Sequence, residues 1–123
     1  MKAALSTLVS LPTPVLVGLG GAFGALGRYA VDVALEGGRR STFAVNVVGS
    51  FALGAIVAAS PPEPTLALAG AGFCGAFTTF SSFAVNVSEA LDEGEWSLAA
   101  SDAVGTLVTA LVGVGAGMAL VGL

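Results

Sequence analysis

The sequence has little charge and few of the side chains most often used in catalysis, such as histidine, cysteine and lysine. Its 123 residues include no histidine, one cysteine and one lysine, and only 10% of them are charged. Soluble domains carry about 25% charged residues, so this composition indicates a membrane protein. Cys74 has no partner for an internal disulfide, and we expect it to serve in packing. No nucleophile, acid–base pair or hydrolytic metal site is recognisable, so we predict that the chain is not an enzyme.

Hydrophobic residues make up 55% of the chain and are concentrated in four long runs. A helix of about 20 apolar residues spans the hydrocarbon core of a bilayer. Short connections that contain Pro, Gly or charged residues separate the runs, as is typical of helix ends. We therefore predict an all-α, multi-pass protein of the cell membrane, in which residues 1–123 form a single four-helix domain. The predicted spans cover approximately residues 12–35, 42–60, 65–87 and 96–122.

The few charges are distributed unevenly along the chain. The net charge is −4, and four of the eight acidic residues lie in segment 88–96, which we interpret as a solvated loop. We expect the lipid bilayer as the environment and no nucleic-acid partner. Cytoplasmic loops normally carry excess Lys and Arg, but Lys2 lies on one side of the first span and Arg39 and Arg40 on the other. This small bias leaves two alternatives open: one weakly set orientation, or pairing of oppositely inserted copies.

Small residues recur one helical turn apart in three of the four runs. Such residues allow membrane helices to approach closely, so we interpret most of them as packing positions. The series are Gly20 and Gly24 in the first run, Asn46, Ser50 and Gly54 in the second, and Gly105, Thr109, Gly113 and Gly117 in the fourth.

Two polar side chains within the runs allow either a structural or a functional interpretation. The carboxamide of Asn46 must find partners in protein or water at membrane depth, so it either joins two helices or donates to an anion. Arg28 either extends to the membrane interface, pairs with Asp32 four residues later, or donates to an anion. The residues themselves leave these alternatives open.

The segment GFCGAFTTFSSF, residues 72–83, combines glycine with hydroxyl groups inside an apolar run. Gly72 and Gly75, followed by Thr78 and Thr79, mark a point at which we predict that the third helix breaks near its middle. A break frees backbone carbonyl groups, which are tolerated at membrane depth only inside protein or around a cavity or an ion. These oxygens suit a hard cation.

Phe80 and Phe83 follow this point and share one helix face because they are three residues apart. An aromatic ring has a positive edge, so two ring edges turned inward would contact an anion that has shed water. The alternative is that both rings pack in the core or face lipid. Their position beside the hydroxyl groups strengthens the first interpretation.

Three motifs in this order and spacing resemble the Fluc (CrcB) family of fluoride channels. They are GGAFGALGRY at residues 20–29, TFAVNVVGSFALG at residues 42–54 and GFCGAFTTFSSF at residues 72–83. The resemblance implies an antiparallel, dual-topology dimer of four-helix subunits with two fluoride pathways. It also implies a buried, structural Na⁺ that is not transported and is held at the dimer interface by the backbone carbonyls of Gly75 and Thr78.

The resemblance also assigns roles to individual side chains of this chain. By position in the motifs, the expected fluoride pathway includes Asn46, Phe80 and Phe83, with Arg28 in its vestibule. We add the hydroxyl groups of Ser81 and Thr106 as further pathway candidates. Because the matching residues of three motifs occur together in one chain, the resemblance favours a homodimer over a heterodimer of paralogues.

The sequence departs from the family pattern at two places. Asn86 stands where family members often have an acidic residue, and the start of the fourth run lacks the tyrosine that they often have. We prefer Thr106 as the pathway hydroxyl of the fourth run. The polar candidates in that region are Ser101, Asp102, Thr106 and Thr109.

By resemblance, the predicted function is passive and fluoride-specific export from the cytoplasm, which lowers fluoride toxicity. A narrow pathway with hydroxyl, amide and ring-edge donors would replace the water around a small anion and reject larger ones. One alternative is a small proton-coupled exporter, which needs a carboxylate in the middle of the first span, where Phe23 and Gly24 lie. The other alternative is a non-conducting subunit of a heterodimeric channel.

Overall fold

The computed structural model describes residues 1–123 and consists of helices joined by short turns, without β-strands. Four helical segments are long and apolar enough to span a membrane, which confirms the predicted all-helical, four-span organisation. We number these segments as spans one to four: Thr13–Ala34, Gly38–Ala58, Glu63–Asp92 and Trp96–Gly122. A shorter helix, Lys2–Val9, precedes the first span and is not among the sequence predictions.

The second span begins at Gly38 rather than near residue 42. Gly37 and Gly38 have φ angles of 68° and 75°, which glycine adopts without the steric penalty of a Cβ atom. The chain therefore reverses direction before Arg39 and Arg40, and both arginines lie in the first helical turn rather than in a loop. This start brings Arg39 within reach of the fourth span.

The third span extends beyond its predicted end. Its last helix continues to Asp92, so only residues 93–95 connect it to the fourth span. Gly94 has a φ angle of 76° in this turn. Much of the segment that we interpreted as a solvated loop is therefore the end of a helix, exposed except at Ala90.

The third span is assembled from several helical pieces. Its backbone is extended at Thr78 and Thr79, with ψ angles of 162° and 119°. Gly75 keeps helical angles, so the extended residues are the two threonines, whose β-branched side chains favour such a backbone. Thr79 then caps the following helix by accepting a hydrogen bond from the Ser82 N–H. The pieces are the α-helix Glu63–Thr65, the wider π-helix Leu66–Cys74, and the α-helices Gly75–Phe77 and Phe80–Asp92.

Glycines bring neighbouring spans into close contact, which confirms the packing interpretation for several of them. A Cβ atom at Gly20 or Gly24 would collide with backbone atoms of the third span. Gly54 and Gly117 make the equivalent contacts between the second and fourth spans. Gly105, by contrast, has open space around it. The first span thus packs on the third and the second on the fourth, and spans two, three and four border the candidate site.

Candidate functional site

A cavity of about 470 Å³, the main cavity, lies between spans two, three and four beside the two extended threonines. It is open on one side, where Phe80 and Leu107 are exposed. Residues of two separate motifs and of the fourth span meet in its wall, as an ion pathway requires. The sequence-predicted residues found there are Asn46, Gly75, Thr78, Phe80, Phe83 and Thr106.

Asn46 connects the second span to the extended backbone of the third. Its Oδ1 atom accepts a hydrogen bond from the Thr79 N–H at 2.7 Å, and its Nδ2 atom donates to the Thr79 carbonyl oxygen at 3.0 Å. A carboxamide has two N–H donors, so one donor remains for another ligand. Asn46 therefore joins two helices, which is the first of the two interpretations given above. Its second N–H donor is free in the cavity wall.

Backbone carbonyl groups near this connection lack their usual helical partners. In a continuous α-helix the Thr79 N–H would donate to the Gly75 carbonyl, but here it donates to Asn46. The Thr78 carbonyl accepts no hydrogen bond from the backbone. The chain also has no group of three His, Cys, Asp or Glu side chains that could hold a metal. The oxygens at Gly75 and Thr78 therefore fit a hard alkali cation better than a transition metal.

Phe80 and Phe83 lie at the start of the helix that follows the extended residues. Their ring centroids are 5.7 Å apart, and the ring planes are inclined by 46°. Phe80 is 79% exposed, whereas Phe83 is partly buried and borders the main cavity as well as a second one. The pair lies at the surface of the cavity, so it does not belong to the packed core.

The second cavity, of about 220 Å³, adjoins the main cavity because Phe83 and Thr106 line both. In its wall, the Arg39 Nε atom lies 2.5 Å from Asp102 Oδ2, and the Arg39 guanidinium also donates to the Asn86 carbonyl oxygen at 3.1 Å. This ion pair is not among the sequence predictions. The sequence signal that could have predicted it is Asp102, a single carboxylate in an otherwise uncharged fourth run that requires a partner at membrane depth. The remaining wall residues are Arg40, Thr42 and Phe43.

Two residues assigned to the site from the sequence lie outside both cavities. Arg28 forms no ion pair with Asp32, whose carboxylate accepts a hydrogen bond from the Ser41 hydroxyl. Ser81 is exposed, and its hydroxyl oxygen lies 3.2 Å from that of Thr79. A single subunit does not place either residue in the cavity wall, and their roles stay predictions.

Four helical segments that are apolar enough to span a membrane, three of which border a mainly apolar cavity with a few polar groups, are typical of a small, multi-pass membrane protein of the transport class. Residues 15–118 match the family described as CrcB-like protein, Camphor Resistance (CrcB). The chain therefore belongs to the CrcB family, which confirms the resemblance carried by the three motifs.

Several relatives are similar to the chain over most of its length. A protein of Natronomonas pharaonis named Fluoride-specific ion channel FluC 2 is 46% identical over 114 residues, which cover 91% of this chain and 97% of the relative. A protein of the same name from Haloarcula marismortui is 45% identical and covers 88% of this chain and 92% of its own length. Fluoride-specific ion channel FluC of Prosthecochloris aestuarii is 43% identical, with shares of 86% and 90%. Because these relatives are named as ion channels, membership of the family confirms the prediction that the chain is not an enzyme.

Proposed function

We propose that the chain is the subunit of a fluoride-specific ion channel that passively exports fluoride from the cytoplasm and so lowers its toxicity. The observation that carries this proposal is the name shared by relatives that match the chain over nearly their whole length. The main cavity supports the proposal, because donors and aromatic rings from separate motifs meet there. A channel with this function is expected in the cell membrane.

Selective conduction of fluoride requires protein groups that replace its water, since the ion is small and strongly hydrated. The main cavity offers the remaining N–H of Asn46, the hydroxyl of Thr106 and the rings of Phe80 and Phe83. No charged side chain lines this cavity, so no fixed negative charge opposes an anion inside it. A larger anion would find too few donors for its size in the same space.

The backbone carbonyls of Gly75 and Thr78 would hold a structural Na⁺ that is not transported. The diverted Thr79 N–H and the unpaired Thr78 carbonyl support this assignment. One subunit supplies two such oxygens, which are too few to replace the water of an alkali cation, whereas two subunits related by a two-fold axis supply four. When bound, the cation supplies a fixed positive charge and links the subunits. In this proposal the extended threonines form the functional break of the third span.

The proposed assembly is an antiparallel homodimer whose subunits have opposite orientations in the membrane. Polar groups at membrane depth are tolerated only inside protein or next to water, and one subunit leaves a side of its main cavity uncovered. A Cβ atom added at Gly75 would meet nothing within 4 Å, so packing inside the subunit does not require glycine there. Close approach of a second subunit provides a reason for it.

A proton-coupled exporter of similar size is the main alternative. Such an exporter needs a carboxylate in its binding cavity, but the main cavity contains none, and Asp102 in the neighbouring cavity is paired with Arg39. The second alternative is a silent subunit that conducts only with a paralogous partner. Arg28, Asn46 and the two pathway phenylalanines occur together in this chain, which favours self-association.

Reconstitution of the purified chain alone distinguishes these three functions. Fluoride-loaded liposomes are diluted into fluoride-free buffer of the same pH, a potassium ionophore compensates charge, and a fluoride electrode records efflux. We expect rapid fluoride efflux without a proton gradient and no efflux from matched chloride-loaded liposomes. Efflux that requires a proton gradient would indicate the exporter. Silence from a folded, membrane-inserted chain would indicate the subunit of a heterodimer.

A further inference from the structure

We propose that the second cavity is the mouth of the fluoride pathway, and that Arg39 acts there as a positioning residue that prevents Asp102 from repelling the anion. This inference rests on the proposed channel function. The mouth adjoins the main cavity at Phe83 and Thr106, which border both spaces. An anion that leaves the Thr106 hydroxyl on this side therefore enters the space bordered by Asp102.

The charges of the second cavity are balanced in favour of an anion. Three charged side chains line it: Arg39, Arg40 and Asp102. The only ion pair joins Arg39 to Asp102, so the charge of Arg40 is not neutralised by a salt bridge. The lining side chains thus carry a net charge of +1, and Glu93 and Glu95 of the adjoining turn also lie close enough to interact with Arg39. One positive charge at the end of an uncharged cavity raises the local concentration of small anions.

Asp102 lies at a position where an unpaired carboxylate would impede the anion. It precedes Thr106 by four residues in the same helix, so both side chains lie on one helix face. The Asp102 side chain is only 22% exposed, and water therefore screens its charge poorly. Its pairing with Arg39 removes most of the repulsion that this charge would exert on fluoride near Thr106.

The position of Arg39 is fixed by a second contact. Its guanidinium donates to the Asn86 carbonyl of the third span as well as to Asp102 of the fourth. A planar guanidinium with two fixed partners is well ordered. These bonds also tie three spans together, so a purely mechanical role for Arg39 is the competing explanation. The two explanations differ when both charges are removed, because that change abolishes the tie but also abolishes the repulsion.

The decisive experiment compares Arg39→Ala, Asp102→Asn and the double variant in the liposome efflux assay. We expect Arg39→Ala to lower fluoride efflux by about tenfold or more, because it leaves the poorly screened Asp102 carboxylate at the mouth without its ion-pair partner. Asp102→Asn alone and the double variant should both remain within about threefold of the unmodified chain, since neither carries that charge. Arg39→Lys, which keeps the positive charge, should also retain efflux.

The matched control combines Arg39→Ala with Asp92→Asn, which removes a negative charge from an exposed helix end that lines neither cavity. This combination should stay as inactive as Arg39→Ala. Loss of Arg39 also changes the insertion bias, but acidic residues contribute little to orientation, so rescue by Asp102→Asn does not arise from reorientation. Size-exclusion chromatography of each variant reports whether it folds and assembles.

Several outcomes would overturn the inference. These are undiminished efflux in Arg39→Ala, a double variant as slow as Arg39→Ala, and equal rescue by Asp92→Asn. If Arg39→Ala does not fold, Asp102→Asn decides: retained efflux supports the proposal, and a loss of about tenfold contradicts it, since removal of one charge should then help rather than harm. A silent unmodified chain would contradict the channel function itself, whereas an active chain without rescue contradicts only the role of Arg39.

Discussion

At the scale of single residues, Asn46 has two separable properties: its two hydrogen bonds to Thr79 and its remaining N–H donor. Asn46→Asp keeps an acceptor for the Thr79 N–H but removes both N–H donors and adds a negative charge. We expect fluoride efflux to fall by roughly a hundredfold, because a hydrogen bond to a charged group contributes about 1.5 to 3 kcal/mol and the new charge repels the anion. Asn46→Ala should also impair efflux with the dimer intact. Full efflux from Asn46→Asp liposomes would remove this residue from the pathway.

Thr106 and Thr109 form a matched pair of hydroxyl groups in the fourth span. Thr106 borders both cavities, whereas Thr109 borders neither and donates to the Gly105 carbonyl of its own helix at 2.6 Å. We expect Thr106→Val to lower fluoride efflux by roughly tenfold, the effect of one lost hydrogen bond to the ion. Thr109→Val should leave efflux unchanged. Equal efflux from the two variants, measured on dimers of equal purity, would contradict the assignment of Thr106.

Phe80→Ile and Phe83→Ile test the contribution of the ring edges. Both variants keep an apolar side chain but remove the aromatic quadrupole. We expect each to lower fluoride efflux by roughly tenfold or more, since an interaction of about 1.4 kcal/mol corresponds to one decade in rate. Phe23→Ile, at an exposed position of the first span outside both cavities, is the control. Wild-type rates in both cavity variants would reduce the pair to a packing role.

At the scale of helices, the proposed site at the Gly75 and Thr78 carbonyl oxygens predicts that fluoride efflux depends on Na⁺. Because these ligands are main-chain atoms, a side-chain substitution should affect the site only where it disturbs the backbone or the approach of the second subunit. Thr78→Ser keeps the backbone and should keep both the dimer and the efflux. Gly75→Val adds bulk where the isolated subunit has open space, so the subunit should fold while dimer formation and efflux fall by roughly tenfold or more. Size-exclusion chromatography and efflux measure the two effects. Undiminished efflux after complete replacement of Na⁺ by a large organic cation would contradict the cation site.

Sequence patterns predicted the helices better than they predicted the details within them. Apolar run lengths gave all four spans, and small-residue spacing gave the contacts at Gly20 and Gly24. The π-helix Leu66–Cys74 was not predicted, because no residue type marks a change from α- to π-helical bonding. Glycines and threonines together were expected to mark a break, but only Thr78 and Thr79 are extended, and Thr79 is bound by a side chain from another span.

At the scale of the whole molecule, the proposed antiparallel assembly requires subunits to insert in both orientations, which the weak charge bias allows. Because Arg39 belongs to an ion pair, the informative substitutions lie elsewhere. Ala3→Lys with Ala4→Lys adds positive charge on the Lys2 side, and Glu36→Lys adds it on the opposite side of the first span. Each change alone should lower efflux, and co-expression of the two variants should restore it. Efflux from subunits proven to have a single orientation would contradict the antiparallel assembly.

The arrangement of the two subunits is the feature that is hardest to predict from the sequence of one chain. The resemblance assigned Asn46 and both pathway phenylalanines to one pathway, Thr106 was our preferred hydroxyl of the fourth run, and the structure brings all four to one cavity. Arg28 and Ser81 do not reach that cavity within the subunit. Their positions relative to a second subunit depend on contacts that no periodicity within one chain encodes.

The π-helix Leu66–Cys74 also has a consequence for how the third span tolerates changes of length during evolution. Deletion of one residue from a continuous α-helix rotates everything beyond it by roughly 100°, whereas the wider turns of a π-helix accommodate an additional residue locally. Loss of one codon within Leu66–Cys74 can therefore be absorbed by a return towards α-helical bonding, so that Thr79 stays near Asn46. The α-helical second span has no such turn, so one deletion between Arg39 and Asn46 would change the angle between these two residues by about 100°.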